Sequence, residues 1–217
     1  MDQTVWGPPL WHLLEDVAWA ADQKKLSEQM GNRVLEFFHS LTLAIPCSIC
    51  RTSYTTFFQE NAIGPYLLSQ QLLKWVWLLH DMVNRKLGNP SLPYKKLCKR
   101  MSTWTQASSA STVWDIMFIV VYNIPVMPTE ESTRRIAGIT EFIKSIPYVM
   151  GALSPVCADK QLLASILLEP VTIVGHRDHR EYWIMWLYGT KVKYDMAIGC
   201  TPLSMEAMLA KYRMASA

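Results

Sequence analysis

Apolar side chains recur at steps of three and four residues along most of the chain. Residues 9–21 and 26–44 show this first, with Val34, Phe37, Phe38 and Leu41 on one stripe, and the spacing predicts two amphipathic helices. Pro46 ends the second, and residues 47–60 start a third. The stretch "SQQLLKWVWLLHDMVNRKLG" predicts a longer amphipathic helix, with Ser69 as its N-cap and Gly88 as its stop. Pro90 and Pro93 then force a turn before a short helix at 94–104. Alternation of period two is absent from this half, so the class is all-α.

"TQASSAST", residues 105–112, is small and polar between two apolar segments, which divides the chain into units at 1–104 and 113–217. Helices are expected in the second unit at 113–124, 130–146, 158–168, 178–193 and 203–214, and "PVTIVG" at 170–175 is a candidate short strand. Thr129 before Glu130 and Glu131 marks a helix start. The second half also echoes the first. "EFFHSLTLAIP" (36–46) is similar to "EFIKSIP" (141–147), Trp114 falls where Trp11 would recur, and "WIMWLY" (183–188) follows "WVWLLH" (75–80). A degenerate repeat and a chance likeness between amphipathic helices stand level on this evidence. If the repeat is real, "YVM" replaces the cysteine pair after Pro147, and that half has lost the chemistry.

Composition narrows the function classes. Half the residues are apolar and 18% are charged, enough to bury a core. The net charge of +3 is scattered, and its densest cluster, "KKLCKR", is short, so nucleic acid is not an expected partner. The longest apolar run, "IMFIVVY" at 116–122, is far below the ~20 residues that span a bilayer. "MDQTVWGPPLW" has an acid where a secretory signal needs a basic start, which predicts a protein kept on the cytosolic side.

Chemistry centres on "IPCSIC". Of the five cysteines only Cys47 and Cys50 are closely spaced. On a helix start, both sulfurs lie on one face, where unpaired amides and the helix dipole favour a thiolate, and Arg51 adds a cation. These features suit a redox disulfide. A zinc site needs a second ligand pair, and His39, His80 and Cys98 are isolated while His176 and His179 stand alone in "HRDHR", so no metal is predicted. An inert pair in a core remains open.

The surrounding blocks add a resemblance. "WGPPLW", "IPCSIC" and "HDMVNRKLGNP", in that order across residues 6 to about 100, resemble the Erv/ALR family of FAD-dependent sulfhydryl oxidases, including those of large DNA viruses. The resemblance implies a four-helix bundle with a short fifth helix and FAD beside the cysteine pair. It assigns Cys47 as the sulfur attacked by substrate thiolate and Cys50 as the one that passes electrons to FAD, with O2 as acceptor and H2O2 as product. It also implies FAD contacts at Gly7, Trp11, Glu15, Trp77, His80, Val83, Asn84, Lys86 and Leu87, of which Trp77, His80, Asn84 and Leu87 share one helix face. Thiol-bearing proteins become the expected substrates. A homodimer becomes the expected state, with apolar faces of the first two helices available for it. A viral member would work in host cytoplasm or virion.

Departures from the family pattern also show. Glu15 replaces a usual His, Asp81 follows His80 where Asn is usual, and Asn89 replaces a Lys of the nucleotide site. Trp77 and Tyr94 stand where cellular members carry a second disulfide, so a larger apolar contact is expected there. Cys98, Cys157 and Cys200 are expected to be free and buried, with a pairing of two of them left open by the spacing. Two rivals follow: a noncatalytic interaction protein that kept the fold, and a thiol–disulfide carrier without flavin.

Overall fold

The computed structural model describes residues 3–103, 109–125, 129–153, 162 and 180–216. Its helices are α1 (Gln3–Asp22), α2 (Glu28–Ala44), α3 (Ser48–Glu60), α4 (Gly64–Leu68), α5 (Leu72–Leu87), α6 (Tyr94–Thr103), α7 (Ser109–Tyr122), α8 (Glu130–Leu153), α9 (Arg180–Ala197) and α10 (Met205–Ser216). The fold is all-α, with no strand among the described residues. Apart from Leu162, the helix expected at 158–168 and the candidate strand at 170–175 lie outside them.

Local chemistry explains most boundaries. Ser27 caps α2, its hydroxyl accepting from the Met30 amide at 3.2 Å. Thr129 and Ser132 cap α8 reciprocally: each side-chain oxygen accepts from the other residue's amide, at 3.1 and 2.7 Å. Gly88 ends α5 in the left-handed region, φ 71°, and Asn89 N–H closes on Asn84 O at 2.8 Å.

Several boundaries differ from the sequence expectation, among them that of α7, which begins at Ser109 inside the expected 105–112 linker. Helix α1 starts at Gln3 and runs through Pro8 and Pro9, which deprives the Thr4 and Val5 carbonyls of their usual donors. Helix α8 likewise runs through Pro147 to Leu153, whereas Pro46 separates α2 from α3. Ser69 closes the short helix α4 instead of opening α5. Pro65 at the N-terminus of α4 favours a separate turn there. Gln70, at φ 52°, then breaks the path. The cap of α5 is Asp22, at the end of α1. Its two carboxylate oxygens accept from the Leu72 and Leu73 amides at 2.7 and 2.9 Å.

The N-terminal core gathers α1, α2, α3 and α5 around aromatic side chains. Trp75 is fully buried, edge-on to Phe38 (5.1 Å between centroids) and Phe58 (5.7 Å), and donates to Asn61 O at 2.8 Å. Trp77 packs on Tyr94 at 5.6 Å and donates to Leu92 O at 2.6 Å, joining α5 to α6 where the second family disulfide would lie.

The second half packs onto the first through α1 and α2. Helix α7, apolar almost all round, lies between α1, α9 and α10, and its Asp115 accepts from Lys211 Nζ (2.6 Å) and Tyr212 Oη (2.7 Å) of α10. Helix α8 lies along α2, with Phe142 stacked on Phe37 at 5.6 Å. Gly138 permits this approach. A β-carbon there would sit 2.2 Å from Leu43 Cβ. The faces of the first two helices that were expected to serve a dimer are therefore covered by α7 and α8 of the same chain.

Candidate active site

Helix α3 begins at the cysteine pair because Pro46 cannot extend α2 and Cys47 takes an extended conformation suited to an N-cap. Cys47 and Cys50 form a disulfide. The Cys47 sulfur also accepts from the Cys50 amide at 3.3 Å. Both residues are half-buried. The sulfurs thus sit at the positive end of α3, where a released thiolate is stabilised by free amides.

Cys50 forms part of the wall of a cavity of about 560 Å3, a size typical of cofactor pockets. Helix α1 contributes Trp6, Gly7, Trp11, His12 and Glu15 to it, and α5 contributes His80, Val83, Asn84, Lys86 and Leu87. Ser53 and Tyr54 of α3 and Arg100 of α6 complete much of the rest. Cys47 is not on this wall.

Of the residues expected to hold FAD, eight line this one cavity, and Trp77 does not. Its ring is turned to α6, where it braces Tyr94 and Leu92. The α5 stripe therefore reaches the cavity from His80 onward. Trp11 and His80 stack on each other at 4.0 Å and 5° between planes, a spacing that admits no third ring between them.

The polar groups of the cavity are coupled across four helices. Glu15 is buried, pairs with the Arg100 guanidinium, and lies 3.4 Å from His80 Nδ1. Lys86 Nζ donates to Ser53 Oγ at 2.6 Å, which brings a cation one turn beyond Cys50. Burial, the largest influence, holds His12 below the ordinary histidine pKa, with Arg100 and His80 pushing the same way and Glu15 opposing them. Tyr54 is buried, donates to Phe38 O at 2.9 Å, and has its phenol pKa raised by that burial.

These residues suit a flavin nucleotide. Two cations, Lys86 and Arg100, face one carboxylate, Glu15, as an anionic ligand requires. Buried Trp6 Nε1 and Arg100 Nε lack hydrogen-bond acceptors. Oxygens of a nucleotide would satisfy them. The aromatic wall supplies the apolar remainder.

Residues 8–104 match the Erv1 / Alr family.

The Erv1/Alr family is known for sulfhydryl oxidase activity, and its members generally bind FAD. The matched segment spans α1 to α6 and contains every cavity residue named above except Trp6 and Gly7; α7 to α10 lie beyond it. No curated protein and no solved structure matches the chain.

The site also has members that local sequence reasoning missed. Arg100 lies 85 positions from Glu15, and its pairing carries no sequence signal. Trp6 opens the "WGPPLW" motif and His12 directly follows it, so the opening motif held a usable hint. Asp81 has a structural use: it accepts from Ser91 Oγ and pairs with Arg85, which fastens the turn after α5. Cys98 is half-buried and Cys200 is an exposed thiol, so the expectation of burial fails at Cys200. Cys157, His176 and His179 lie outside the described residues.

Proposed function

We propose that the protein is an FAD-dependent sulfhydryl oxidase that makes disulfides in protein substrates. The observation that carries this reading is the Cys47–Cys50 disulfide at the start of α3, with Cys50 on the wall of a cation-bearing aromatic cavity. The match of this segment to the Erv1/Alr family supports it.

The chain's own residues define the thiol half of the reaction. A substrate thiolate attacks Cys47 Sγ, which lies off the cavity wall. The Cys47–Cys50 bond breaks, a mixed disulfide forms at Cys47, and Cys50 leaves as a thiolate held by the α3 amides. A second substrate thiolate attacks the substrate sulfur of that mixed disulfide and releases Cys47. The substrate leaves as a disulfide, having given up two electrons and two protons. Lys86, held by Ser53, places positive charge beside the Cys50 thiolate. Trp6, Trp11, His80, Asn84, Lys86 and Arg100, which line the cavity, would hold the cofactor. When bound, FAD would supply the two-electron acceptor for the Cys47–Cys50 dithiol, with O2 as final acceptor and H2O2 as product.

The second half we read as a degenerate copy of the first. The contact of Phe37 with Phe142, which become equivalent when "EFFHS" (36–40) is matched to "EFIKS" (141–145), accords with a twofold axis between two bundles. Its lack of a cysteine pair at Pro147, where α8 continues unbroken, makes it noncatalytic. The resemblance to members carried by large DNA viruses is the ground for proposing a viral source, with work in host cytoplasm or virion. No helix among the described residues is long and apolar enough to cross a membrane.

Turnover with dithiothreitol tests the reading. One O2 should be consumed, and one H2O2 formed, per dithiol oxidised, and Cys47→Ser or Cys50→Ser should abolish both. A carrier without flavin would exchange with model disulfides but take up no oxygen. A noncatalytic protein would do neither.

A further inference from the structure

A second depression, of about 450 Å3, takes in Arg51, the residue that follows Cys50 on α3. Leu43 of α2, Arg51 of α3, and Glu130, Glu131, Arg134 and Arg135 of α8 line it. The cavity described above takes Ile49, Cys50, Ser53 and Tyr54 from α3. Successive helical residues step by roughly 100°, so Arg51 projects about a quarter-turn away from Cys50, and Cys47 falls between them. The disulfide thus has the cavity on its Cys50 side and an arginine groove on its Cys47 side.

The groove is under-neutralised. Among the described residues, one carboxylate comes within ion-pair distance of its three guanidiniums: Glu131, 3.7 Å from Arg51 and 79% exposed. Arg51 and Arg135 are half-buried and anchored, Arg51 Nη1 donating to Ile45 O at 2.8 Å and Arg135 Nη2 to Asn123 O at 3.5 Å. Arg135 Nε is buried without an acceptor. Arg134 is exposed, and no ion pair holds it among the described residues. Burial, then repulsion from Arg51, pushes the Arg135 pKa down to about 10. The two glutamates are exposed and can swing outward, whereas two of the guanidiniums cannot. A ligand carboxylate would relieve the arginines, and guanidinium geometry favours carboxylates.

We propose that this groove docks the substrate and selects proteins whose reactive cysteines are flanked by Asp or Glu. The second half would then serve catalysis without cysteines, by giving α8 to the entry side of the disulfide. The proposal rests on the oxidase reading, since it names that reaction's substrate class.

The test uses the full-length protein, three dithiol peptides alike except for Asp/Glu, Asn/Gln or Lys flanks, and each protein's own dithiothreitol rate as divisor. The acidic peptide should exceed the lysine peptide in kcat/KM by about tenfold, as two partly exposed ion pairs allow. Arg134→Glu should bring that ratio to one or below. Equal rates for the three peptides, or a ratio unmoved by Arg134→Glu, would overturn the docking site. Failure to oxidise dithiothreitol would instead sink the oxidase reading. In that event binding decides. A fluorescent acidic peptide with Ser for Cys should bind the wild type more tightly than Arg134→Glu and weaken with salt, and equal binding to both proteins would reject the groove.

Discussion

Replacing Gly138 by Ala should destabilise the protein, although the same change in most helices stabilises. The added β-carbon would lie 2.2 Å from Leu43 Cβ, 2.9 Å from its Cδ1 and 3.1 Å from its Cγ. Carbon atoms in contact rest at about 3.5–4.0 Å, so α2 and α8 must part by roughly 1.5 Å. Leu43 Cβ is fixed to the backbone, so no rotamer change clears it. Separation would loosen the Phe37–Phe142 stack and the packing of buried Ile139 and Phe142. Overpacking of this kind costs about 1–3 kcal/mol, against a helix-propensity gain of about 1 kcal/mol for Gly→Ala. A clash of 2.2 Å with a backbone-fixed carbon belongs at the upper end of that cost, so the expected net loss is about 1–2 kcal/mol, or roughly 2–8 °C in Tm for a chain of this size. Gly31 and Gly189 are the controls, because a β-carbon at either meets nothing within 4 Å. Ala there should stabilise by about 0.5–1 kcal/mol. Urea unfolding of the three variants decides the matter. A Gly138→Ala protein as stable as Gly189→Ala would refute the close α2–α8 packing, and with it the covered α1–α2 face.

Other consequences are open to test. Asp22→Ala removes the acceptor for the first two amides of α5 and should cost about 1–2 kcal/mol in chemical denaturation. Burial outweighs those hydrogen bonds and raises the Asp22 pKa, so the folded state holds its proton longer than the unfolded chain. Stability should therefore fall as pH rises through the window above the unfolded value of 3.8, and Asp22→Asn should remove that slope. His12 gives the opposite sign. Its folded pKa is lowered, so between that value and 6.5 the unfolded chain holds more proton, and acidification through this window should destabilise wild type but not His12→Gln. Arg100→Gln leaves Glu15 buried beside a neutral group and should lower both Tm and FAD retention, and Glu15→Gln in the same chain should restore Tm.

Helical periodicity made most of the fold legible. The apolar stripe Val34–Phe37–Phe38–Leu41 is buried as the spacing requires, and Gly88 stops α5 where a left-handed cap was expected. What failed was the part set at long range. Ser69 looks like an N-cap by local rules, yet Asp22 caps α5 from some fifty residues upstream, and no local pattern encodes that bond. Pro147 looks like a helix end by analogy with Pro46, but α8 packs along α2 on both sides of it, and tertiary contact outweighs the lost donor. At the site, motif order brought eight of nine expected cofactor residues to one cavity. Trp77 fails because helical spacing alone cannot say where along α5 the cavity stops and α6 begins to cover it. Arg100 was invisible for a different reason: the cation missing at Asn89 has a counterpart at the same cavity, but on another helix.

The central claim is a redox circuit from Cys47–Cys50 to a flavin in the adjoining cavity. Its most direct test is the visible spectrum of the purified protein before and after dithiothreitol under air-free conditions, for wild type, Cys47→Ser and Cys50→Ser. The account predicts yellow protein in all three, with the flavin band bleached by thiol in wild type alone and restored by air. Colourless protein that stays colourless after incubation with FAD and desalting, or bleaching that ignores both serine replacements, would contradict it.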